Sequence, residues 1–249
     1  PSGYEPDELP DCSTPRLKHR TIQTICYQCK LTSIGAANVK LEAHLESTPA
    51  LAFITTYYRM NFCPSCGHVV SLRVPPDDTR SRYVCESCGE IHYQNPKMVV
   101  GSIPLWDKDG SAQVLLCRRA IEPRRGYWTL PAGFMENGES TAEAAARETL
   151  EEAGARIELL DLFSLLNVAH VHQVHLFYRA RLCDLDFAAG IESLEVRLFN
   201  EQEIPWGDLA FPTVTHTLKR FFADLTASRG GRSFGVHALD IAPGMRISS

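Results

Sequence analysis

From Lys97 onward, apolar and polar positions alternate in short runs. KMVVGSIPLW and AQVLLCRR are strand-like, and the turn residues DKDG between them predict a hairpin. WTLPAGFM reads as one further short strand. The period then changes. Ser140 to Ala153 is alanine-rich and predicts a helix. Ser140 serves as N-cap, with Glu143 three residues on to complete a capping box. Gly154 supplies the stop. Strand patterns return at 156–166, 171–181 and 194–199. A last helix is predicted over 213–227, where Val214, Leu218, Phe221, Phe222 and Leu225 recur at helical spacing. From Ser228 the chain is rich in Gly, Ser and Arg and reads as a loose tail, 229–249. Mixed strands with two helices over 97–228 predict a single α/β sandwich domain.

The chain ahead of this domain has a different character. Residues 61–96 hold four cysteines among turn residues, too little to bury a core of their own. Residues 1–60 read as a leader. Between Cys12 and Leu41 there is no acid, against five Lys/Arg and six Ser/Thr. Such a basic, hydroxyl-rich stretch reads as an organelle transit peptide, and the plain alternative is a disordered extension. Cys26 and Cys29 within it form a lone pair, read as chance rather than as a metal site.

Composition adds a constraint. At 44% hydrophobic and 22% charged, the chain is an ordinary globular protein. No apolar run reaches the length of a membrane span, so no membrane partner is expected. The net charge of -5 weighs against nucleic acid as a general partner. Residues 136–158 carry seven Glu and two Arg, which accounts for the whole excess.

That concentration needs an explanation, because like charges at helical spacing repel. Glu148, Glu151 and Glu152 lie at i, i+3 and i+4 and share one helix face. Three carboxylates on one face make an oxygen-rich site for a hard cation such as Mg²⁺ or Mn²⁺. The bland alternative is a solvated acidic face. Glu143 and Arg147 stand at pairing distance along the helix, and a Glu139–Arg147 contact would tie the preceding loop onto it. Gly133 and Gly138 leave that loop free to bring backbone carbonyls close to a metal.

The cysteines carry a second signal. Cys63-PS-Cys66-Gly67 and Cys85-ES-Cys88-Gly89 are matched knuckles at metal-ligand spacing. Four thiolates with no open position make a structural Zn²⁺ site, and a pair of redox disulfides is the weaker reading. Elsewhere, His170, His172 and His175 fall on a predicted strand, where only the first two share a face. They read as strand residues rather than as ligands.

The string from Gly133 to Gly154 fits G-x5-E-x7-R-E-x-x-E-E-x-G at every fixed position. It resembles the Nudix box of hydrolases that cleave a nucleoside diphosphate linked to another moiety. Thr149 and Ala155 stand where that family usually has larger aliphatic residues. The resemblance implies a Nudix α/β/α sandwich with an N-terminal zinc ribbon. It implies that Glu148 and Glu152 are the main Mg²⁺ or Mn²⁺ ligands, with Glu151 holding a further ion or its water. The carbonyl near Ala132–Gly133 would complete the site, and Arg147 would orient the loop through Glu139. Glu151 is the first candidate for general base, with Glu192 and Glu195 as alternatives.

A longer similarity runs from about Phe62 to about Leu225. It takes in FCPSCG, YQNPKMVVG, VLLCRR, GYWTLPAGFMENGES, ESLEVRLF and EIPW-x-x-LAF, and resembles the plant chloroplast FAD pyrophosphatase type. The SQPWPFP-like segment that marks the NADH pyrophosphatase branch is missing after the box. The resemblance implies cleavage of FAD to FMN and AMP, activity on ADP-ribose, and chloroplast localisation, with the cytoplasm as the alternative. The expected partner is a small dinucleotide, and a homodimer is left open. An aromatic slot should hold the flavin or adenine ring. Trp106, Tyr127, Trp128, Phe134 and Phe211 are candidates, with Tyr127 and Phe134 preferred because they flank the metal loop. The competing readings are an NADH or dinucleoside-polyphosphate pyrophosphatase, or a non-catalytic zinc-ribbon protein that binds nucleic acid. Residues 61–96 are not basic, which counts against the last.

Overall fold

The computed structural model describes residues 59–108, 110–228 and 233–245. The leader, its suspected transit peptide and Cys26/Cys29 lie outside the described residues, apart from Arg59 and Met60. The chain divides into two compact units, with the division between Tyr93 and Gln94.

The smaller unit carries a three-stranded antiparallel sheet of β1 (Val70–Arg73), β2 (Arg82–Cys85) and β3 (Ile91–His92), in that order. Each cysteine knuckle closes by the same device. Gly67 N–H donates to Cys63 O at 2.8 Å, and Gly89 N–H donates to Cys85 O at 2.9 Å. Both glycines sit at positive φ, 75° and 77°, where a side chain would be strained.

The larger unit is built on an eight-stranded mixed sheet. The predicted hairpin is present as β4 (Lys97–Lys108) and β5 (Ser111–Arg119), paired antiparallel. WTLPAGFM is not one strand. It splits into β6 (Trp128–Thr129), which pairs with β5, and β7 (Ala132–Phe134), which pairs with β4. Pro131 lies at the break, where its missing N–H cannot join a ladder. The helix α1 (Thr141–Ala153) has the Ser140/Glu143 capping box, and Gly154 caps its end in the left-handed conformation. Next come β8 (Ile157–Val168), β9 (Gln173–Leu182), β10 (Ser193–Phe199) and the second helix, α2 (Pro212–Ser228). The tail is not entirely loose, because β11 (His237–Asp240) pairs parallel with β8. Ile241 is buried and Phe234 packs against the main core, so apolar burial draws the segment in.

The sheet order is β10-β5-β4-β9-β8-β11, and both helices pack on it. α2 covers the main core through Val214, Leu218, Phe221 and Phe222, against Ile103, Phe163 and Phe177 from the sheet. α1 uses only small residues, Ala144 and Ala145, which lie against Val100 and Leu176. Small side chains let the helix approach β4 closely. There Thr149 Oγ1 meets Ser102 Oγ at 2.6 Å, with both residues fully buried. This bond explains the departure at Thr149. A hydroxyl pair pins the helix where an aliphatic residue would otherwise pack.

Candidate functional site

A cavity of about 720 Å³ opens over the C-terminal half of α1. Glu148, Glu151, Glu152 and Arg147 line it, together with Gly133 and Phe134 from β7. The remaining wall includes Arg119, Ile191, Glu192 and Phe211.

Arg147 is the hub of this cluster. Its Nη2 lies 2.7 Å from Glu139 Oε1, and its Nε is 3.0 Å from Glu139 Oε2. Nη1 reaches Glu148 Oε1 at 2.7 Å and Glu151 Oε2 at 3.2 Å. Nη2 also donates to the Phe134 carbonyl at 3.2 Å, tying β7 to the helix. The expected Glu139–Arg147 tie is therefore present. The expected Glu143–Arg147 pair is not, because Glu143 is spent on the capping box. The Arg147 guanidinium holds the Glu139 carboxyl well down, at about 2. Conversely, Glu139 raises the Arg147 pKa above its usual range.

The other two carboxylates behave differently. Glu152 is only 6% exposed, and its Oε2 accepts from Ala132 N–H at 3.1 Å. Burial pushes its carboxyl up to about 8 against that hydrogen bond, with Glu148 and Glu192 adding to the rise. Burial also raises Glu148, opposed by Arg147. A buried carboxylate, Glu152, and a part-buried one, Glu148, form an oxygen-only donor set that is destabilised until a cation arrives. Each of the three glutamates spends one oxygen on a protein donor. Among the described residues, the side-chain groups drawn within 4.8 Å of one another are cysteine-based, so the glutamates are not already clustered as ligands. Arg147 stands in as the cation for Glu148 and Glu151. The donor chemistry therefore fits a divalent ion, with Glu148, Glu151, Glu152 and the Gly133 backbone as the groups that would hold it.

The ribbon fits zinc more directly. The Sγ atoms of Cys63, Cys66, Cys85 and Cys88 all lie within 4.8 Å of one another, with Cys63–Cys88 at 3.7 Å and Cys66–Cys85 at 3.4 Å. A tetrahedron with Zn–S of about 2.3 Å has S···S edges of about 3.8 Å. Beside it, a ring nitrogen of His92 lies within 4.8 Å of Cys63 Sγ and a Glu90 oxygen, and His92 Nε2 is buried without a hydrogen-bond partner.

Several expected residues fall elsewhere. Tyr127 is not on the cavity; its ring lies under Arg124, 5.3 Å from the guanidinium carbon. Trp128 is core, packed edge-on against Phe199 at 4.9 Å. Phe134 and Phe211 supply the cavity's aromatic surface. Of the alternative bases, Glu192 lines the cavity, whereas Glu195 faces Arg118 at 3.8 Å and does not. His170 and His172 do not share a strand face, because a 3₁₀ turn at Ala169–Val171 intervenes and His172 is left-handed. Sequence reasoning passed over Arg119, Gln173 and His175 as pocket residues. They come from strand ends that the sheet topology brings together, and nothing local marks them.

Fold and site together define a mixed-sheet domain whose glutamate helix presents an oxygen-only donor set suited to a divalent cation. A NUDIX domain model matches residues 95–222, and a zinc-ribbon model described as Nudix N-terminal matches residues 61–94. The chain belongs to the Nudix family, whose enzymes use divalent metals. A crystal structure of a NUDIX hydrolase from Nitrosomonas europaea is 52% identical, with a TM-score of 0.67 over 73% of this chain and 100% of that one. NAD-capped RNA hydrolases NudC from Salmonella heidelberg and an Enterobacter species are each 32% identical over 108 residues, 43% of this chain. The matched stretch spans 38% of the length of these curated relatives.

Proposed function

We propose that this chain hydrolyses the diphosphate linkage of FAD to give FMN and AMP, and that ADP-ribose is a further substrate. The observation that carries the reading is the cavity itself. The carboxylates of Glu148, Glu151 and Glu152 line it together with two aromatic side chains, Phe134 and Phe211. That suits a diphosphate flanked by two groups, of which at least one is a ring. The flavin is preferred over nicotinamide because the long similarity outside the box is to the FAD type and the SQPWPFP-like segment is missing.

Mg²⁺ or Mn²⁺, held by Glu148, Glu151, Glu152 and the Gly133 backbone, would supply charge neutralisation at the diphosphate oxygens and a more acidic water. The chain's own residues do the rest. Glu148 and Glu152 supply carboxylate oxygens whose ionised form is disfavoured without a cation, so a bound cation is what draws their protons off. Arg147 holds the β7 loop and Glu139 in place. Glu151, exposed and bonded to Arg147 alone among the described residues, is assigned as general base, with Glu192 as the alternative. Arg119 lies near enough to Glu152 to lower its pKa, and from the cavity wall it offers a cation to phosphate.

The test is product analysis. With Mg²⁺, the protein should release FMN and AMP from FAD, and Glu152→Gln should lose roughly 10²-fold or more in rate. A Gln variant with near-normal turnover would remove the site assignment. A second reading, hydrolysis of NAD-capped RNA, is favoured by what the NudC relatives are named for. It also opens the question of a nucleic-acid partner, against the expectation from net charge. The same assay with NAD-capped RNA distinguishes the two.

A further inference from the structure

One polar feature of the cavity is unused by the metal chemistry. β9 opens with Gln173 and His175, two residues apart and so on one face of the strand. His175 Nε2 lies 2.9 Å from Gln173 Oε1, and both residues line the cavity. Neither is bonded to a box glutamate; those bonds go to Arg147 and Ala132.

The sheet register places this pair opposite an aromatic ring. Val99 on β4 is flanked by His175 on β9 and by Phe134 on β7. Residues paired across strands project to the same face, so Phe134, Val99 and His175 stand in a row. All three line the cavity. With strands about 4.8 Å apart, the row is about 10 Å wide. Along this slot the side chains run aromatic, apolar, polar.

The polar side is chemically specific. Burial holds the His175 imidazole down at about 4, so it is neutral and is no charge partner for phosphate. A neutral imidazole has one N–H and one bare nitrogen. With Nε2–H donating to Gln173 Oε1, Nδ1 is an acceptor and the Gln173 amide N–H groups remain donors. If the amide and the tautomer both reverse, the roles exchange, but one donor and one acceptor remain. Among the described residues Nδ1 has no protein partner, and it is not sealed from solvent. The next residue on the same face, Phe177, is buried in the core. An apolar residue at 175 would extend that surface without the cost of desolvating an imidazole and an amide.

We propose that Gln173 and His175 form a specificity subsite that reads the edge of a substrate ring carrying a hydrogen-bond donor beside an acceptor. Phe134, two strands across on the same face, adds aromatic surface to the same cavity. The inference rests on the reading that this cavity cleaves dinucleotides. Two sources share the chemistry: the adenine amino group beside its ring nitrogen, and the imide or carboxamide edge of a flavin or nicotinamide.

The test is steady-state kinetics of His175→Phe and Gln173→Leu on FAD, NADH and ADP-ribose, with thermal melting as the folding control. A ring-edge contact remote from the diphosphate is uniform binding. KM should rise about ten- to a hundredfold with kcat little changed, and His175→Gln should recover part of the loss. Equal losses on all three substrates place adenine in the slot. Losses on FAD and NADH but not ADP-ribose place the other ring there. Unchanged KM on every substrate that the wild type cleaves overturns the inference alone. So does a loss confined to kcat that tracks the melting temperature. A wild type that cleaves none of the three removes the underlying reading, and the inference with it.

Discussion

Gly133 leaves room for the carboxylate of Glu148. A Cβ built on Gly133 would fall inside the van der Waals envelope of both Glu148 carboxylate oxygens. The glycine is therefore a close-approach residue, and its role is to let β7 lie against a ligand side chain.

Gly133→Ala should displace Glu148 while leaving the fold intact, because α1 is held independently by its caps and by the Ser102–Thr149 bond. A shift near 1 Å at a reacting site costs on the order of 10²-fold in kcat. Kinetics at saturating Mg²⁺ alongside a thermal melt checks this. Full activity in the variant would mean that Glu148 is not needed where it stands.

The Glu139–Arg147 bond predicts an acid-side stability signature. Glu139 is held at about 2 against an ordinary 4.5, so its folded pKa is depressed. Its contribution is present above pH 4.5 and is lost as pH falls from 4.5 through about 2. Urea midpoints across that window should fall more steeply for wild type than for Glu139→Gln. Parallel curves would rule out the linkage.

Zinc should be structural. Protein purified without added metal is expected to carry one Zn²⁺, held by Cys63, Cys66, Cys85 and Cys88. Cys63→Ser/Cys85→Ser should lose it and unfold the ribbon, since binding and folding are coupled at such sites. Elemental analysis that finds zinc retained in the double variant would contradict this.

The C-terminal strand should matter for stability. Ile241 is 4% exposed within the main core, and its N–H donates to Asn167 O at 2.8 Å. Ile241→Ala should cost about 2–4 kcal/mol, read from the urea midpoint. A loss below about 0.5 kcal/mol would return this segment to the status of a loose tail.

The glutamate helix was legible because its signals are local. Ser140, Glu143 and Gly154 are capping chemistry, and Glu148, Glu151 and Glu152 follow helical period. The cysteine knuckles were legible for the same reason. β11 was not, since four residues among Gly and Ser carry no periodic signal, and only the exposed edge of β8 gives them a partner. Tyr127 was misplaced because proximity in sequence to the metal loop does not decide which way a side chain faces. His175 reaches the cavity through strand pairing between distant segments, which a single sequence does not display, whereas Phe211 is among the aromatic candidates the sequence offers. Thr149 looked like a weak match until its buried partner, Ser102, came into contact with it from a strand 47 residues away.

On the proposed function, this site cleaves FAD in preference to its nicotinamide counterpart. Side-by-side steady-state kinetics of FAD, NADH and ADP-ribose at one Mg²⁺ concentration test it most directly. The two dinucleotides share an adenylate half, and an aromatic slot discriminates rings by about 1–3 kcal/mol. FAD should therefore lead NADH in kcat/KM by about ten- to a hundredfold, with ADP-ribose still cleaved. NADH equal to or better than FAD would contradict the account and place this chain with the nicotinamide-dinucleotide enzymes.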